Sequence, residues 1–538
     1  MKKENFKLDT SVRRNEWVPD LSRVIFLIIL AYCLRDFFIC YDALWQVKIG
    51  EWIWNHKAIP RFDPDFAISS ELIPWKNHQW LGELILFGLW KIGGFFGLRL
   101  ILSLIPAFIF SRAFVLLRKQ GVSPLSAFFF ILIAVLSSAH HWLARPHLIA
   151  YVLLITSVIL WEKSYEGNSK TPFILALVHL LWANLHQSFL IQFIFAASFA
   201  FQLLADYFEK RSLSGRVIRN IVGLLICLPL ITAMNPHGFG AFRSTGATWA
   251  IRKYIEEWQP VYFHSKYFPC FFAYSVLLVL SFLSNQKNVK SYELAIFTCT
   301  VLLTTTAVRQ IPIFVLSTLP FYVRHIPLFS RKAAGFLEKK FSAVTRWYTE
   351  RNRRIHACEQ EFSGNYFVLC CWALLFFISV AGFHNPRLTY WNGLNKNFFP
   401  IPASDFMERE NIKGNIFNIY AWGGYLLFRF GNDNKIFIDG RTDMYGPERL
   451  EEYDQILEAR SGWETLFDKY DIQIALISSE WGLSKKLSGD PDWLLVFSDK
   501  QASVFVQKEK FPQKKSVIPA QAGIQKILDP RFRGGDKR

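Results

Sequence analysis

Charge is scarce in this chain, and so are the motifs that usually announce soluble enzyme chemistry. Only 19% of the 538 residues are charged, against 52% apolar and 17% aromatic, which excludes an ordinary soluble protein of this size. The eight cysteines contain no CxxC pair, and Cys370 and Cys371 lie side by side in an apolar run. Neither a zinc module nor a disulfide framework is implied. No phosphate-loop glycine pattern occurs, which argues against a nucleotide site. Ionisable groups are almost missing from the centres of the apolar runs, where an ion-coupled transporter keeps some despite their cost. The net charge of +18 does not imply a nucleic-acid partner, because Lys and Arg cluster between apolar runs as they do in cytoplasmic membrane loops.

What is present is a series of apolar runs near 22–40, 95–117, 122–140, 144–161, 172–186, 188–206, 217–234, 268–284, 291–308, 310–325 and 364–383. They predict about eleven transmembrane helices, some short for a hydrocarbon core that needs about 20 residues. The basic segments fall on alternate sides, the densest at 324–354, so the N-terminus (1–21) is expected in the cytoplasm with the first run a retained anchor. Cations expected outside, such as Lys48, Lys57, Arg252 and Lys253, sit mostly in longer loops where the rule is weaker. Polar residues at the run ends gather on the outer side: Asp42, His140, His141, Arg145, His147, Asn184, His186, Asn235, His237, Glu256, Glu257 and Arg309.

The stretch 41–94 is too polar for lipid yet rich in Trp, Phe and Ile, as expected of a large first outer loop at a membrane surface. Asp42, Asp63, Asp65, His78 and Glu83 make it the densest group of acid–base candidates. Asp42 reads as a helix N-cap or as a general base at the edge of low dielectric. Asp63-Pro64-Asp65 has the form of a DxD divalent-metal motif, with His78 as a further ligand, or of a common Pro turn. Glu83 is a second base or an exposed helix residue. Arg145 and Arg309 at helix starts either snorkel to headgroups or grip phosphate. Asn184 with His186, and Asn235 with His237, are structural caps or pocket groups, and Glu257 lines the pocket or solvates its loop.

Beyond the last run the character changes. Residues 391–510 alternate short β-branched runs (416–420, 435–441, 472–479, 493–499, 502–508) with helical ones (447–459), predicting a small extracytoplasmic α/β domain. Asp439-Gly440-Arg441 ends one strand, as a turn or as a strand-end ligand loop. The tail 511–538 is Gly/Pro-rich and basic, resembles translated repeat DNA, and is expected to be disordered.

The combination Asp42…Asp63-Pro64…His78-Gln79-Trp80-Leu81…Glu83, Arg145-Pro146-His147, Trp182-Ala183-Asn184-Leu185-His186, Asn235-Pro236-His237-Gly238, Arg309-Gln310-Ile311-Pro312, Trp422-Gly423-Gly424-Tyr425 and Phe437-Ile438-Asp439-Gly440-Arg441 resembles bacterial multi-spanning proteins related to the GT-C glycosyltransferases. The resemblance covers most of 40–505. It implies an α-helical polytopic membrane protein (22–390 the GT-C-like part) in a bacterial inner membrane, transferring a sugar with inversion from a polyprenyl-phosphate donor to a glycan, lipid or protein acceptor. Asp42 then matches the catalytic acid residue after the first span. Ala43 follows it where many relatives carry a second acid, leaving Asp63 or Asp65 as rival bases. Arg145 and Arg309, with His147 and His186, are the implied anchors of the donor phosphate. Competing readings are a lipid-linked glycan transporter and a non-catalytic envelope glycan-binding scaffold.

Overall fold

The computed structural model describes residues 20–36, 40–68, 73–242, 255–361, 394 and 398–514. The expected span at 364–383 with Cys370 and Cys371, the cations Arg252 and Lys253, most of the N-terminal segment and nearly all of the tail lie outside the described residues. The chain divides into two compact units, Met1–Arg61 with Pro74–Leu394, and Phe62–Ile73 with Asn395–Arg538.

The first unit is all helical: α1 (Asp20–Asp36), α2 (Tyr41–His56), α3 (Trp80–Lys119), α4 (Pro124–Ser138), α5 (Pro146–Tyr165), α6 (Thr171–Leu185), α7 (Ile191–Phe208), α8 (Gly215–Thr232), α9 (Phe268–Ser284), α10 (Ser291–Thr306), α11 (Ile311–Lys340) and α12 (Ser342–Glu361). Proline opens α4, α5, α6, α9 and α11, where its missing N–H costs nothing and its φ suits the first turn. Glu293 reaches back from the third residue of α10 to the Lys290 N–H (2.9 Å), satisfying a free amide at the helix start.

Helices stand at all ten predicted runs that fall within the described residues. Six segments are long and apolar enough to cross a membrane, so this is a multi-pass membrane protein. Of the ten runs within the described residues, α1, α6, α9 and α10 do not qualify because they have only 15 to 17 residues, short of the roughly 20 that a hydrocarbon core requires.

The stretch 41–94 is more regular than a loop. Helix α2 buries Ala43, Leu44, Val47 and Ile49, and α3 continues for 40 residues through a break at Gly94 (φ 58°, ψ −157°). That left-handed φ is cheap only for glycine, and it separates an N-terminal part of α3 from the apolar part. The two helices meet at Gly50, where a Cβ would run into the Glu83 carbonyl.

The second unit carries a five-stranded mixed sheet of order β2-β1-β3-β5-β4: β1 (Asn415–Asn418), β2 (Lys435–Ile436), β3 (Ile474–Ile477), β4 (Trp493–Ser498) and β5 (Ser503–Gln507). Strand β1 is parallel to β2 and β3, and β5 is antiparallel to β3 and β4. All four residues of β3 are buried, as a central strand covered on both faces requires. Helices α13 (Ile401–Arg409), α14 (Tyr420–Phe430), α15 (Thr442–Leu457), α16 (Trp463–Lys469) and α17 (Gly482–Gly489) complete it. Residues 62–73, expected with the membrane-surface loop, belong to this unit instead: Ala67 bridges Ile436 in parallel, and Ile436 N–H donates to the Phe66 carbonyl (3.0 Å).

Candidate functional site

In the helical unit, charged residues remote in sequence meet at the ends of helices. Arg145 precedes α5 in extended conformation (φ −131°, ψ 163°), because Pro146 disfavours helical geometry in the residue before it. Its guanidinium lies 2.7 Å from Asp42 Oδ2 and 3.3 Å from Glu257 Oε1, and its Nε donates to Cys40 Sγ (3.3 Å). Arg309, in the turn that opens α11, reaches the same Glu257 oxygen at 3.4 Å and lies 4.7 Å over the Trp258 ring. His141 Nδ1 stands 3.5 Å from the other Glu257 oxygen. Two carboxylates and two guanidiniums thus alternate as Asp42, Arg145, Glu257, Arg309.

This alternation sets the protonation states. Burial alone would raise the Glu257 pKa, but the Arg145 and Arg309 charges outweigh it and hold the carboxyl below its ordinary range. For Arg145, burial opposes the charge, and Asp42, Cys40 and Glu257 more than compensate, so its pKa is pushed up.

Histidines continue the row. His147 Nε2 donates to the His141 carbonyl (2.9 Å), and the two rings stack at 4.5 Å. His186 lies 6.0 Å from His147, ring to ring. Its Nδ1 accepts from the Ser188 N–H (3.1 Å), and Ser188 Oγ accepts from Trp182 Nε1 (3.0 Å). A ring nitrogen that accepts from an amide carries no proton, so neutral His186 bears its hydrogen on Nε2. Burial first, then the neighbouring His147 and Arg309, push the His186 pKa well down. A cavity of about 250 Å³ opens here. Its lining includes His141, His147, His186, Trp258 and Arg309 together with Leu190, Ile191, Ile194, Leu303 and Ile313. It can hold an anionic head against neutral and charged donors while an apolar portion rests on aliphatic side chains. Asp42, Arg145 and Glu257 do not line it; they reach it through Arg309 and His141.

The remaining candidates of this unit brace the site. Trp80 Nε1 donates to Asn184 Oδ1 (3.0 Å). A Cβ on Gly82 would sit 2.5 Å from Pro146 and 2.9 Å from the Leu185 carbonyl, so α3, α5 and α6 close on a single glycine. Glu83 is fully buried and accepts from Asn77 Nδ2 (2.5 Å); it belongs to this joint and not to the cavity wall. Asn235 caps its own turn by accepting from the His237 N–H (2.7 Å), and His237 Nε2 donates to the Asn77 carbonyl (2.9 Å). His78 is half-buried and close enough to His186 and His237 to bear on both.

In the sheet unit, Asp63 and Asp65 are committed to other partners. Asp63 Oδ1 takes Arg441 Nη1 (2.5 Å), and Oδ2 takes the N–H groups of Phe66 and Ala67 (2.7 and 2.8 Å). Fully buried Arg441 also forks onto Asp439 (2.7 Å), which accepts from Tyr445 OH (2.9 Å). Asp65 pairs with Lys435 (2.5 Å). These carboxylates tie 62–68 to the sheet: Asp63 is engaged by Arg441 and two backbone amides, and Asp65 by Lys435. Among the described residues no group of three His, Cys, Asp or Glu side chains is arranged to hold a metal.

The sequence singled out Glu256-Glu257-Trp258 as a pocket-lining group and Trp182 within its helix-to-loop junction. It gave His141 only a place among the polar run ends and offered no signal for Ser188.

No family model matches the chain, and no curated protein sequence does. Among solved structures it is similar to the apo oligosaccharyltransferase of Archaeoglobus fulgidus, with a TM-score of 0.54 and 11% identity over 86% of this chain and 70% of that one. At that identity the likeness shows the fold, a helical membrane part followed by a smaller sheet-bearing part.

Proposed function

We propose that the protein is a membrane glycosyltransferase that takes a sugar from a polyprenyl-phosphate-class donor on the outer face of a bacterial inner membrane and passes it to an envelope acceptor. The observation that carries this reading is the alternating row Asp42, Arg145, Glu257, Arg309 ending at a cavity lined by cationic, imidazole and aliphatic groups together. The fold shared with an oligosaccharyltransferase supports it.

In this reading the donor's phosphate lies against Arg309 and the Nε2–H of His186, and its lipid rests on Ile191, Ile194, Leu303 and Ile313. The acceptor oxygen attacks the anomeric carbon and the bond from that carbon to the phosphate oxygen breaks. The phosphate departs with the electron pair as an anion already matched by fixed donors, so it needs no general acid. Asp42 does not line the cavity, so the acceptor enters from the Asp42 end of the row for its hydroxyl proton to pass there, and the anomeric configuration inverts. Arg145 keeps the Asp42 carboxylate ionised and oriented. The basic segments at the opposite helix ends support an outward-facing row.

The test is transfer of labelled sugar from a polyprenyl-phosphate donor by the full chain in vesicles. Arg309→Ala and His186→Ala should each slow transfer about 10²–10³-fold, the usual cost of losing one preorganised donor. Lipid-linked sugar crossing the vesicle without transfer, or glycan binding without transfer that ignores both variants, would replace this reading with a transporter or a scaffold.

A further inference from the structure

A second surface lies at the far end of α11 from Arg309. Helix α11 has 30 residues, about 45 Å at 1.5 Å per residue, whereas a hydrocarbon core is about 30 Å thick. Its last turns therefore outrun the lipid tails. The chain then bends at Phe341 (φ −136°, ψ 62°) and runs on as α12. That helix is fastened to the start of α4: Tyr348 OH bonds Ser123 and Ser126, and Asn352 Oδ1 accepts from the Leu125 N–H (3.0 Å).

Fastened this way, the bend turns its large apolar side chains outward. Phe336, Leu337, Phe341, Val344 and Trp347 are 57%, 42%, 51%, 57% and 60% exposed. Cations are interleaved with them. Lys340 lies 5.6 Å from the Phe336 ring and Arg351 5.9 Å from Trp347. Lys339, Lys340, Arg346 and Arg351 form no ion pair among the described residues, whereas Arg353 and Arg354 are both held by Glu350.

We propose that this elbow, 336–351, docks on the acidic headgroups of the membrane leaflet at its end of the bundle. Two observations select that occupant. The surface is continuous with a membrane-crossing helix and tied to the start of another, so it lies at headgroup depth. Its mixture of aromatic side chains and unpaired cations is what an anionic interface binds, the rings settling among headgroups and the cations meeting lipid phosphates. A zwitterionic surface offers the first contribution without the second.

The test uses the full chain in nanodiscs of phosphatidylcholine with or without 30% phosphatidylglycerol. Hydrogen exchange across 336–351 should be about tenfold slower with phosphatidylglycerol, and high salt should remove the difference. Native mass spectrometry of detergent-solubilised protein should retain phosphatidylglycerol over phosphatidylcholine. The quadruple variant Lys339→Gln, Lys340→Gln, Arg346→Gln, Arg351→Gln should lose that preference about tenfold, whereas Arg346→Lys with Arg351→Lys keeps it. These positions are exposed, so an unchanged melting temperature is expected. Equal protection in both lipids, an unaltered preference in the Gln variant, or protection that appears only when a soluble acidic protein is added would overturn the proposal. Transfer activity is not the readout, so the outcome is independent of the donor cavity.

Discussion

Arg145 Nη2 lies 2.7 Å from Asp42 Oδ2, joining the first residues of α2 to the start of α5. Neither side chain is more than 13% exposed, so the pair is desolvated, and the second carboxylate on Arg145, Glu257, keeps the row alternating in sign. A desolvated pair is costly to split, because the survivor is left charged in a poor solvent.

Asp42→Asn separates the base from the structural partner. Loss of a general base should slow transfer about 10²–10⁴-fold, and loss of the ion pair should destabilise the helical unit by about 3 kcal/mol. Rates from labelled donor and melting in detergent read the two effects separately. Transfer at the wild-type rate in Asp42→Asn removes Asp42 as the base.

Acidification should weaken the helical unit in two stages of the same sign. The His186 and His237 pKa values are both lowered from 6.5, first by burial. The unfolded chain then binds protons that the folded one refuses, and stability falls as pH drops from about 6.5 toward the lowered values. Glu257 also has a lowered pKa, where Arg145 and Arg309 outweigh burial. Its contribution is full above the ordinary value of 4.5 and is lost as pH falls through the lowered one. Melting temperature should be level from pH 8 to about 7 and decline from there to about pH 3, and Glu257→Gln should flatten the decline only below about 4.5.

Gly82→Ala tests the joint of α3, α5 and α6. The added methyl meets Pro146 and the Leu185 carbonyl, and overpacking of this kind costs about 1–3 kcal/mol. Because α5 carries Arg145 and His147, the variant should lose transfer as well as stability. Gly88→Ala, with open space around its Cβ, is the control and should leave both unchanged.

Asp63→Asn should act on the sheet unit alone. Asp63 is 6% exposed and Arg441 fully buried, so splitting them should cost about 3–5 kcal/mol, seen as faster hydrogen exchange in β2 and 62–68. Asp65 is 64% exposed, and Asp65→Asn should change stability by less than about 0.5 kcal/mol. Divalent cations should leave both results unaltered.

Much of this architecture was legible in the order of residues, since apolar runs and proline starts are local signals. Ten predicted runs became helices and five predicted strands became the sheet. Asp42, Arg145, Glu257 and Arg309 could be picked out as polar residues at run ends, because membrane burial makes such residues conspicuous. Their pairing could not, since it depends on how α2, α5 and the turn at Glu257 pack. The partners of Asp63 could not be read either: a DxD string does not reveal that Arg441 and two backbone amides engage it. The excursion of 62–68 into the sheet unit rests on a bridge at Ala67 and on ion pairs to Arg441 and Lys435, which no periodicity encodes.

The central claim is that a lipid phosphate occupies the cavity beside Arg309 and His186. A polyprenyl phosphate carrying a photoreactive group in its first isoprene unit measures this directly. Irradiation of the full chain in vesicles should place adducts on Ile191, Ile194, Leu303 or Ile313, and Arg309→Ala should reduce their yield about tenfold or more. Adducts confined to other helices, or an undiminished yield in Arg309→Ala, would contradict the account.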